Sequence, residues 1–181
     1  MDKKVIKEIL SWVMVIAAAV ILAMAINKWV YYAISSPTPS MENTFLVGEK
    51  VGVFRLAYLF DEPERGDIVV FANPLEPDED DYIKRIVGLP GETVEGKDGV
   101  VYIDGQPLKE DYLWEFMEGE FGPYEIPEGH YWMMGDNRNV SGDARLWPDK
   151  YIPLDDIRGK ALFKYPKFKW FGKIDYNLGE E

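Results

Sequence analysis

The first candidate for chemistry is a serine, Ser40, in the segment Pro37-Thr38-Pro39-Ser40-Met41. A serine hydroxyl becomes a useful nucleophile only when a neighbouring base takes its proton. The same segment is also typical of a turn or a helix cap, where a serine side chain bonds the backbone. Ser40 is therefore a candidate nucleophile whose base must come from elsewhere in the chain.

The candidate base is Lys84, which lies in the strand-like segment Tyr82-Ile83-Lys84-Arg85-Ile86-Val87. Alternation along a strand puts Tyr82 and Ile86 on the same face as Lys84, so this face can remove the amine from water. Burial lowers the pKa of a lysine, and a lowered pKa is what a general base near neutral pH requires. The competing interpretation is a solvated lysine paired with one of the many acidic residues.

A polar loop, residues 134–145, supplies the third set of candidates. Ser141 carries a hydroxyl that can orient a lysine amine by a hydrogen bond without restoring its charge. Two ion pairs can hold the loop: Asp143 with Arg145, and Asp136 with Arg85. The alternative is an exposed loop of turns with no catalytic role.

The single histidine, His130, allows a Ser-His-Asp triad in principle. Its position at a turn that leads into a strand is more typical of a half-exposed structural histidine. The chain has no cysteine, which excludes disulfides and thiolate chemistry. One histidine without cysteine also argues against a zinc site.

An apolar segment places Ser40 close to a membrane. Ile9 to Asn27 is a run of 19 uncharged residues, and a helix of that length nearly spans the roughly 30 Å of bilayer hydrocarbon. Three lysines precede the run, so the positive-inside rule predicts a cytoplasmic N-terminus. The alternative is a cleaved secretory signal, because Ala23-Met24-Ala25 has the small-x-small pattern of a cleavage site.

These signals divide the chain into three parts. Residues 1–8 are expected in the cytoplasm, residues 9–34 form the anchor and its interfacial end, and residues 35–181 form an extracytoplasmic domain. Within that domain, residues 109–128 are predicted to be an irregular surface excursion. The expected location is the cell membrane, crossed once, with the catalytic domain outside.

The extracytoplasmic part is predicted to be mainly β, with antiparallel sheets in a sandwich-like arrangement, because short apolar runs alternate with Gly, Pro and Asp. The predicted strands are Lys50–Leu56, Asp67–Phe71, Tyr82–Val87, Thr93–Glu95, Val100–Ile103, His130–Met134 and Ile157–Tyr165. Asp104-Gly105 predicts a hairpin turn before residues 106–108. No long helical period follows the anchor, which argues against alternating strands and helices.

The charge of the chain limits its partners. The formal net charge is −12, and residues 35–181 hold 16 basic against 30 acidic residues. Such an acidic domain offers no basic stripe to phosphates, so nucleic acid is not an expected partner. The exception is the basic and aromatic segment 164–173, for which we hypothesise contact with membrane lipid. The alternative is a strand end packed on the domain.

In combination, these motifs resemble type I signal peptidase, the serine–lysine protease that removes signal peptides from exported proteins. The resemblance follows the chain in order through the apolar segment, Ser40-Met41, Arg65–Phe71, Tyr82–Glu92 and Gly135–Arg145. The short distance between Gly91 and Gly135 is similar to the compact bacterial members that lack a large accessory domain.

The resemblance implies a role for each candidate. Ser40 would be the nucleophile and Lys84 the general base, with Ser141 orienting the lysine amine. The Ser40 N–H and the Thr38 hydroxyl would form the oxyanion hole. The remaining candidates would support the site structurally: Asp136, Arg85, Asp143 and Arg145.

The chain departs from the family pattern at two places. The usual Ser-Met-x-Pro-Thr is replaced by Ser40-Met41-Glu42-Asn43-Thr44, and Pro39 stands where many relatives have a small residue. Pro39 has no N–H, but the oxyanion hole requires the N–H of Ser40 instead. Catalysis is therefore expected to survive both changes.

The resemblance also implies the substrate, a preprotein with small residues at the first and third positions before the cut. An extended peptide can add as a strand beside Tyr82–Ile86, and Met41, Tyr82 and Ile83 would then wall shallow pockets that exclude large side chains. The expected partners are preprotein signal peptides and membrane lipid, and the resemblance implies that no metal and no organic cofactor is required. Two alternatives are another Ser-Lys protease, of the self-cleaving repressor type, and an inactive membrane-anchored binding protein.

Overall fold

The chain begins with one long helix and continues as β structure in a computed structural model that describes residues 2–174 and 176. The helix, α1, covers Lys3–Trp29, and the Asp2 side chain caps it by accepting a hydrogen bond from the Lys4 N–H at 3.1 Å. None of its residues is buried. Among the described residues, α1 is the one helix long and apolar enough to cross a membrane.

Two antiparallel sheets follow, as the sequence predicts. Their strands are β1 (Tyr31–Ser35), β2 (Lys50–Phe54), β3 (Ile68–Phe71), β4 (Tyr82–Gly88), β5 (Thr93–Lys97), β6 (Val100–Ile103), β7 (Gln106–Pro107), β8 (Phe121–Glu125), β9 (His130–Met134), β10 (Tyr151–Pro153), β11 (Ile157–Tyr165) and β12 (Lys169–Trp170). The larger sheet has the order β1-β2-β11-β3-β4-β9-β10, with β12 paired to β11. The smaller sheet has the order β7-β6-β5-β8.

Strand β1 lies partly inside the segment that the sequence predicts to be the anchor and its interfacial end. That segment covers residues 9–34, and within and just beyond it Tyr31–Ser35 pairs antiparallel with β2 along its whole length. The Arg55 N–H also donates to the Val30 carbonyl at 2.9 Å, which ties the helix end to the sheet. Tyrosines are common both at a membrane interface and in strands, so composition alone could not separate the two.

The excursion at residues 109–128 is regular in its second half. Strand β8 lies inside it and pairs with β5 at the edge of the smaller sheet. The glycines and prolines of this segment obscured the strand in the sequence, because both residues are rare inside strands. The predicted turn at Asp104-Gly105 is confirmed: both residues have positive φ, 50° and 78°, as a two-residue hairpin turn requires.

The core consists of two apolar clusters on opposite sides of strand β4. The larger cluster lies around Trp132 and includes Ile86, whereas the smaller one includes Met41, Phe45 and Ile83. Every residue of β4 after Tyr82 is buried. A polar side chain on this strand is therefore held between packed layers, away from bulk water.

The basic and aromatic segment at residues 164–173 contains β12, a short strand paired with β11. Phe168 and Trp170 pack on Phe163 at ring-centroid distances of 5.0 Å. Both are nevertheless more than half exposed, at 60% and 58%. The segment is thus a packed strand end, and its contact with lipid stays a prediction.

Candidate active site

Ser40 lies in a short 3-10 helix, Pro39–Met41, between β1 and β2. Pro39 occupies the first helical position, where its fixed φ is favourable and its missing N–H is not needed. The Ser36 hydroxyl bonds the Thr38 carbonyl at 3.0 Å, and the buried Met41 side chain anchors the other end in the smaller core cluster. The serine is thereby held at a rigid turn beside the sheet.

Lys84 contacts Ser40 directly. Its amine donates to the Ser40 Oγ at 2.7 Å, and the Thr38 hydroxyl lies 3.1 Å from the same oxygen. Lys84 is 5% exposed and Ser40 is 4% exposed. The structure therefore brings together the two residues that the sequence proposed as base and nucleophile, together with the candidate oxyanion donor.

Burial lowers the pKa of Lys84 from 10.5 to about 8, while Asp143 and Asp136 partly oppose the shift. Neither acid is free to pair with the amine, because each forms an ion pair with an arginine. About half of the Lys84 amines are then neutral at pH 8 and about a tenth at pH 7. This neutral fraction is what can accept a proton from Ser40.

The predicted pair between Asp136 and Arg85 is present and buried. The Arg85 Nε and Nη2 donate to the two carboxylate oxygens at 2.7 and 2.6 Å, and Nη1 donates to the Gly66 carbonyl at 2.7 Å. The Thr44 hydroxyl also donates to the Asp136 carboxylate. A bidentate pair of this kind fixes the start of the polar loop to the central strand.

The second predicted pair, Asp143 with Arg145, holds the polar loop closed. The Arg145 Nε and Nη2 donate to the carboxylate at 2.7 and 2.8 Å. The Gly135 N–H donates to the same carboxylate at 3.0 Å. The pair therefore joins the two ends of the loop, and both predicted ion pairs are seen.

Ser141 differs from its expected arrangement. It is 5% exposed, but its hydroxyl has no hydrogen-bond partner among the described residues, so the expected bond to the Lys84 amine is not formed. The Ser141 Oγ instead faces Gly135, where an added Cβ would collide with it and lie 2.5 Å from the Ser40 carbonyl. Gly135 is thus required for the close approach of the loop to the serine turn.

A cleft of about 330 Å³ opens beside the Ser40–Lys84 pair. Its lining residues are Pro37, Thr38, Pro39, Ser40, Asp80, Asp81, Tyr82, Ile83, Lys84, Val140 and Gly142. Tyr82 and Ile83 line it as predicted. Met41 does not, because it is fully buried beneath the turn, where its sulfur accepts from the Asp136 N–H at 3.4 Å. Met41 therefore has a packing role in this structure.

The cleft exposes the edge of a strand. Strand β3 pairs with β4 from Tyr82 to Arg85, but β9 pairs with β4 only from Arg85 to Gly88. In the part of the chain that the structure describes, residues 82–84 thus have no neighbouring strand on their second side. An extended peptide can pair with such an edge.

Sequence reasoning missed two asparagines that join the serine turn to the polar loop. The Asn137 N–H donates to the Ser40 carbonyl at 3.0 Å, and its side chain donates to the Pro39 carbonyl at 3.2 Å. The Asn43 side chain donates to the Asp136 carbonyl at 2.8 Å. Asn43 is one of the departures from the family pattern, and this bond gives it a structural use.

His130 takes no part in this site. Its Nδ1 lies 2.9 Å from the Glu128 carbonyl, and the residue lines a different pocket, beside Asp149 and Asp156. The histidine triad considered from the sequence is therefore not formed. Within residues 2–174 and 176, no group of three or more histidine or acidic residues is placed to hold a metal ion.

The signal peptidase family, peptidase S26, matches residues 9–166. This chain belongs to that family. Membership makes it a serine peptidase.

The chain is similar to individual signal peptidases. The chain is 38% identical to a signal peptidase I of Bacillus licheniformis over 180 residues, which are 93% of this chain and 94% of the relative. It is also 38% identical to a probable signal peptidase I-1 of Synechocystis over 172 residues, 91% and 85% of the two chains. The crystal structure of a signal peptidase I from Enterococcus faecalis is 33% identical, has a TM-score of 0.49, and covers 55% of this chain and 97% of that one.

Proposed function

We propose that this signal peptidase is a membrane-anchored serine endopeptidase that removes signal peptides from exported preproteins with a Ser40–Lys84 dyad. The observation that carries the proposal is the 2.7 Å hydrogen bond between a buried lysine amine and the candidate nucleophile. The substrate class comes from the relatives that are named signal peptidase I.

The proposed reaction begins with proton transfer from the Ser40 Oγ to the neutral amine of Lys84. The oxygen attacks the scissile carbonyl carbon, and the resulting oxyanion accepts hydrogen bonds from the Ser40 N–H and the Thr38 hydroxyl. Lys84 then gives its proton to the leaving amine, and the peptide bond breaks to leave an ester on Ser40. Water, deprotonated by Lys84, hydrolyses that ester.

The open edge of β4 supports an extended substrate in the cleft. Main-chain bonds to residues 82–84 would hold the peptide. Side chains on one face of the peptide would lie beside Ile83, and those on the other face would lie beside Tyr82. Ile83 is only 5% exposed, so the wall that it contributes is shallow. Shallow walls favour small residues, because a larger side chain would collide with the packed strand.

The helix α1 supports anchoring beside the substrate. It ends at Trp29, and β1 carries the chain from the helix end to the serine turn within 11 residues. With the basic N-terminus in the cytoplasm, Ser40 lies on the outer side, near the membrane surface. The apolar run continues through Ala23-Met24-Ala25 without a polar break, which favours an anchor over a cleaved signal. N-terminal sequencing of the mature protein checks this, since a start at Ile26 would remove the anchor.

A preprotein cleavage assay tests the proposed function. Full-length protein in detergent or vesicles should cut a preprotein once, after an Ala-x-Ala site, as N-terminal sequencing of the product would show. A phenylalanine at the third position before the cut should lower the rate about a hundredfold, because a shallow pocket cannot hold it.

Two serine variants control that assay. Ser40→Ala should give no product, whereas Ser35→Ala, at an exposed serine of the preceding strand, should cleave normally. Cleavage that persists in Ser40→Ala would remove the proposed nucleophile. A wild-type protein that binds the preprotein without cutting it would favour the inactive binding protein instead.

The pKa of Lys84 predicts how the rate depends on pH. The base works only in its neutral form, which is lost as the pH falls through its pKa of about 8. Between pH 8 and pH 6, kcat/KM should therefore fall about fiftyfold. Initial rates at low substrate concentration measure this, and enzyme returned from pH 6 to pH 8 should regain its rate. A level profile over this range would exclude Lys84 as the base.

A further inference from the structure

Two side chains from residues 108–120, the segment between β7 and β8, pack against the polar loop: the buried Glu110 and the partly buried Tyr112. The Glu110 carboxylate accepts bonds from both terminal nitrogens of Arg138, one of them at 2.7 Å. The Tyr112 hydroxyl donates to the same carboxylate, and the Tyr112 ring lies 4.0 Å from the Arg85 guanidinium. The side chains of Glu110 and Arg138 are 5% and 1% exposed. Buried charges are rare unless they are paired in this way.

Arg138 is the residue through which this pair reaches the loop. Its Nε donates to the Gly135 carbonyl at 3.1 Å, and its own carbonyl accepts from the Arg145 Nη2 at 2.6 Å. Arg138 therefore links the first turn of the loop to the Asp143–Arg145 pair. Without Glu110 its guanidinium would be a buried charge with no carboxylate partner, which is strongly unfavourable.

The part of the loop that Arg138 holds is also the part that touches the serine turn. Asn137 bonds the Ser40 carbonyl through its N–H and the Pro39 carbonyl through its side chain. Gly135 lies so close that a Cβ there would be 2.5 Å from the Ser40 carbonyl. Movement of residues 135–138 must therefore move Ser40 relative to Lys84, which is fixed on β4.

We infer that Glu110 is a positioning residue for the Ser40–Lys84 pair, acting through Arg138 and the Gly135–Asn137 backbone. The inference rests on the proposed function of that pair. The inference gives a function to the predicted excursion, residues 109–128, because Glu110 near its start would fix the position of Ser40 relative to Lys84. A displacement of about 1 Å at a reacting group lowers a rate about a hundredfold.

The test compares Glu110→Gln with Asp111→Asn in the full-length protein. Asp111 is the neighbouring acid, but it is exposed and pairs with Lys109 on the surface. With preprotein as substrate, Glu110→Gln should lower kcat per folded enzyme about tenfold to a hundredfold at unchanged KM. Asp111→Asn should match the wild type. Equal kcat in the two variants would overturn the inference.

A double variant separates positioning from mere stability. Glu110→Gln with Arg138→Met removes the unpaired charge, so the melting temperature should recover relative to Glu110→Gln alone. The bond from Arg138 to Gly135 is still absent, so kcat should stay low. Recovery of kcat together with stability would show that Glu110 acts only on folding, and would overturn the inference.

Amide hydrogen exchange at Asn137 tests the inference independently of turnover. The Asn137 N–H is protected by its bond to the Ser40 carbonyl, and its exchange should accelerate at least about tenfold in Glu110→Gln but not in Asp111→Asn. Equal exchange in both variants would refute the inference. A wild-type protein that cuts no preprotein would refute the proposed function, while the exchange comparison would still decide the role of Glu110.

Discussion

Replacement of Lys84 by methionine should lower turnover by about a thousandfold or more, because no other described group lies where it could take the proton of Ser40. Lys84 is the residue whose amine contacts the Ser40 Oγ, and the neighbouring acids are held by arginines. Methionine keeps the length and apolar stem of the side chain but cannot accept a proton. The loss should fall on kcat more than on KM, since the cleft walls are unchanged.

The same variant should be more stable than the wild type near neutral pH. The folded state lowers the pKa of Lys84 from 10.5 to about 8, so at pH 7 folding must bury an amine that is largely charged. A pKa lowered by this amount opposes folding by roughly 3 kcal/mol. Methionine removes that cost but also loses the hydrogen bond to Ser40, so we expect the free energy of unfolding to rise by about 1 to 3 kcal/mol. This gain in stability is full below pH 8, where the Lys84 amine is charged in both the folded and the unfolded wild type. It decreases above pH 8 and is lost above pH 10.5, where the amine is neutral in both states.

Chemical unfolding of the full-length protein in detergent, at pH 7 and pH 10, measures that gain. Lys84→Arg is the informative comparison, because arginine keeps the charge, cannot become neutral, and should be inactive without the gain in stability. Lys97→Met is the matched control, since that lysine is 44% exposed, lies on a strand of the smaller sheet and does not line the cleft. Normal turnover in Lys84→Met would contradict the assignment of the base.

Removal of one partner from the Arg85–Asp136 pair should lower both the stability and the activity of the protein, and this is the second largest effect that we expect. Arg85→Met leaves the Asp136 carboxylate buried and without its guanidinium, which destabilises a protein by about 3 to 5 kcal/mol. Asp136 also holds Thr44 and, through its carbonyl, Asn43, so the serine turn should loosen as well. Activity should therefore fall together with stability.

A double-mutant cycle measures this coupling. Arg85→Met with Asp136→Leu removes both charges and should recover a large part of the lost stability, because an apolar pair is often as stable as a buried ion pair. Glu95→Gln supplies the surface control: its pair with Lys97 is exposed, and its loss should change stability by less than about 1 kcal/mol. Additive effects of the two core substitutions would show that the pair does not act as a unit.

The site was largely predictable where chemistry depends on residue type and short motifs. The candidate residues can be recognised from their local sequence: a serine directly after a proline, a lysine within an apolar strand and a loop of matched charges. The order of the motifs then resembled one family, and the two ion pairs, Asp136–Arg85 and Asp143–Arg145, are present as expected.

Three features were not predictable, because each depends on how side chains pack in the folded chain. The position of Met41 beside Ser40 predicts a pocket wall, but its side chain is fully buried in the core. The family resemblance predicts a hydrogen bond between Ser141 and the Lys84 amine, but the Ser141 hydroxyl faces Gly135. Glu110 is one acid among 32 in the sequence, and only folding distinguishes it as the partner of Arg138.

The sequence by itself determined the single apolar helix, the antiparallel β character of the rest and the identity of the residues capable of the chemistry. These follow from apolar run length, alternation, turn residues and motif order, all of which are local. Only the tertiary structure decided that Tyr31–Ser35 is a strand, that the edge of β4 is open beside Ser40, and that the Lys84 amine lies 2.7 Å from the serine oxygen. Strand pairing and burial are made by segments that meet only in the folded chain, and the pKa of a lysine depends on that burial rather than on its neighbours in sequence.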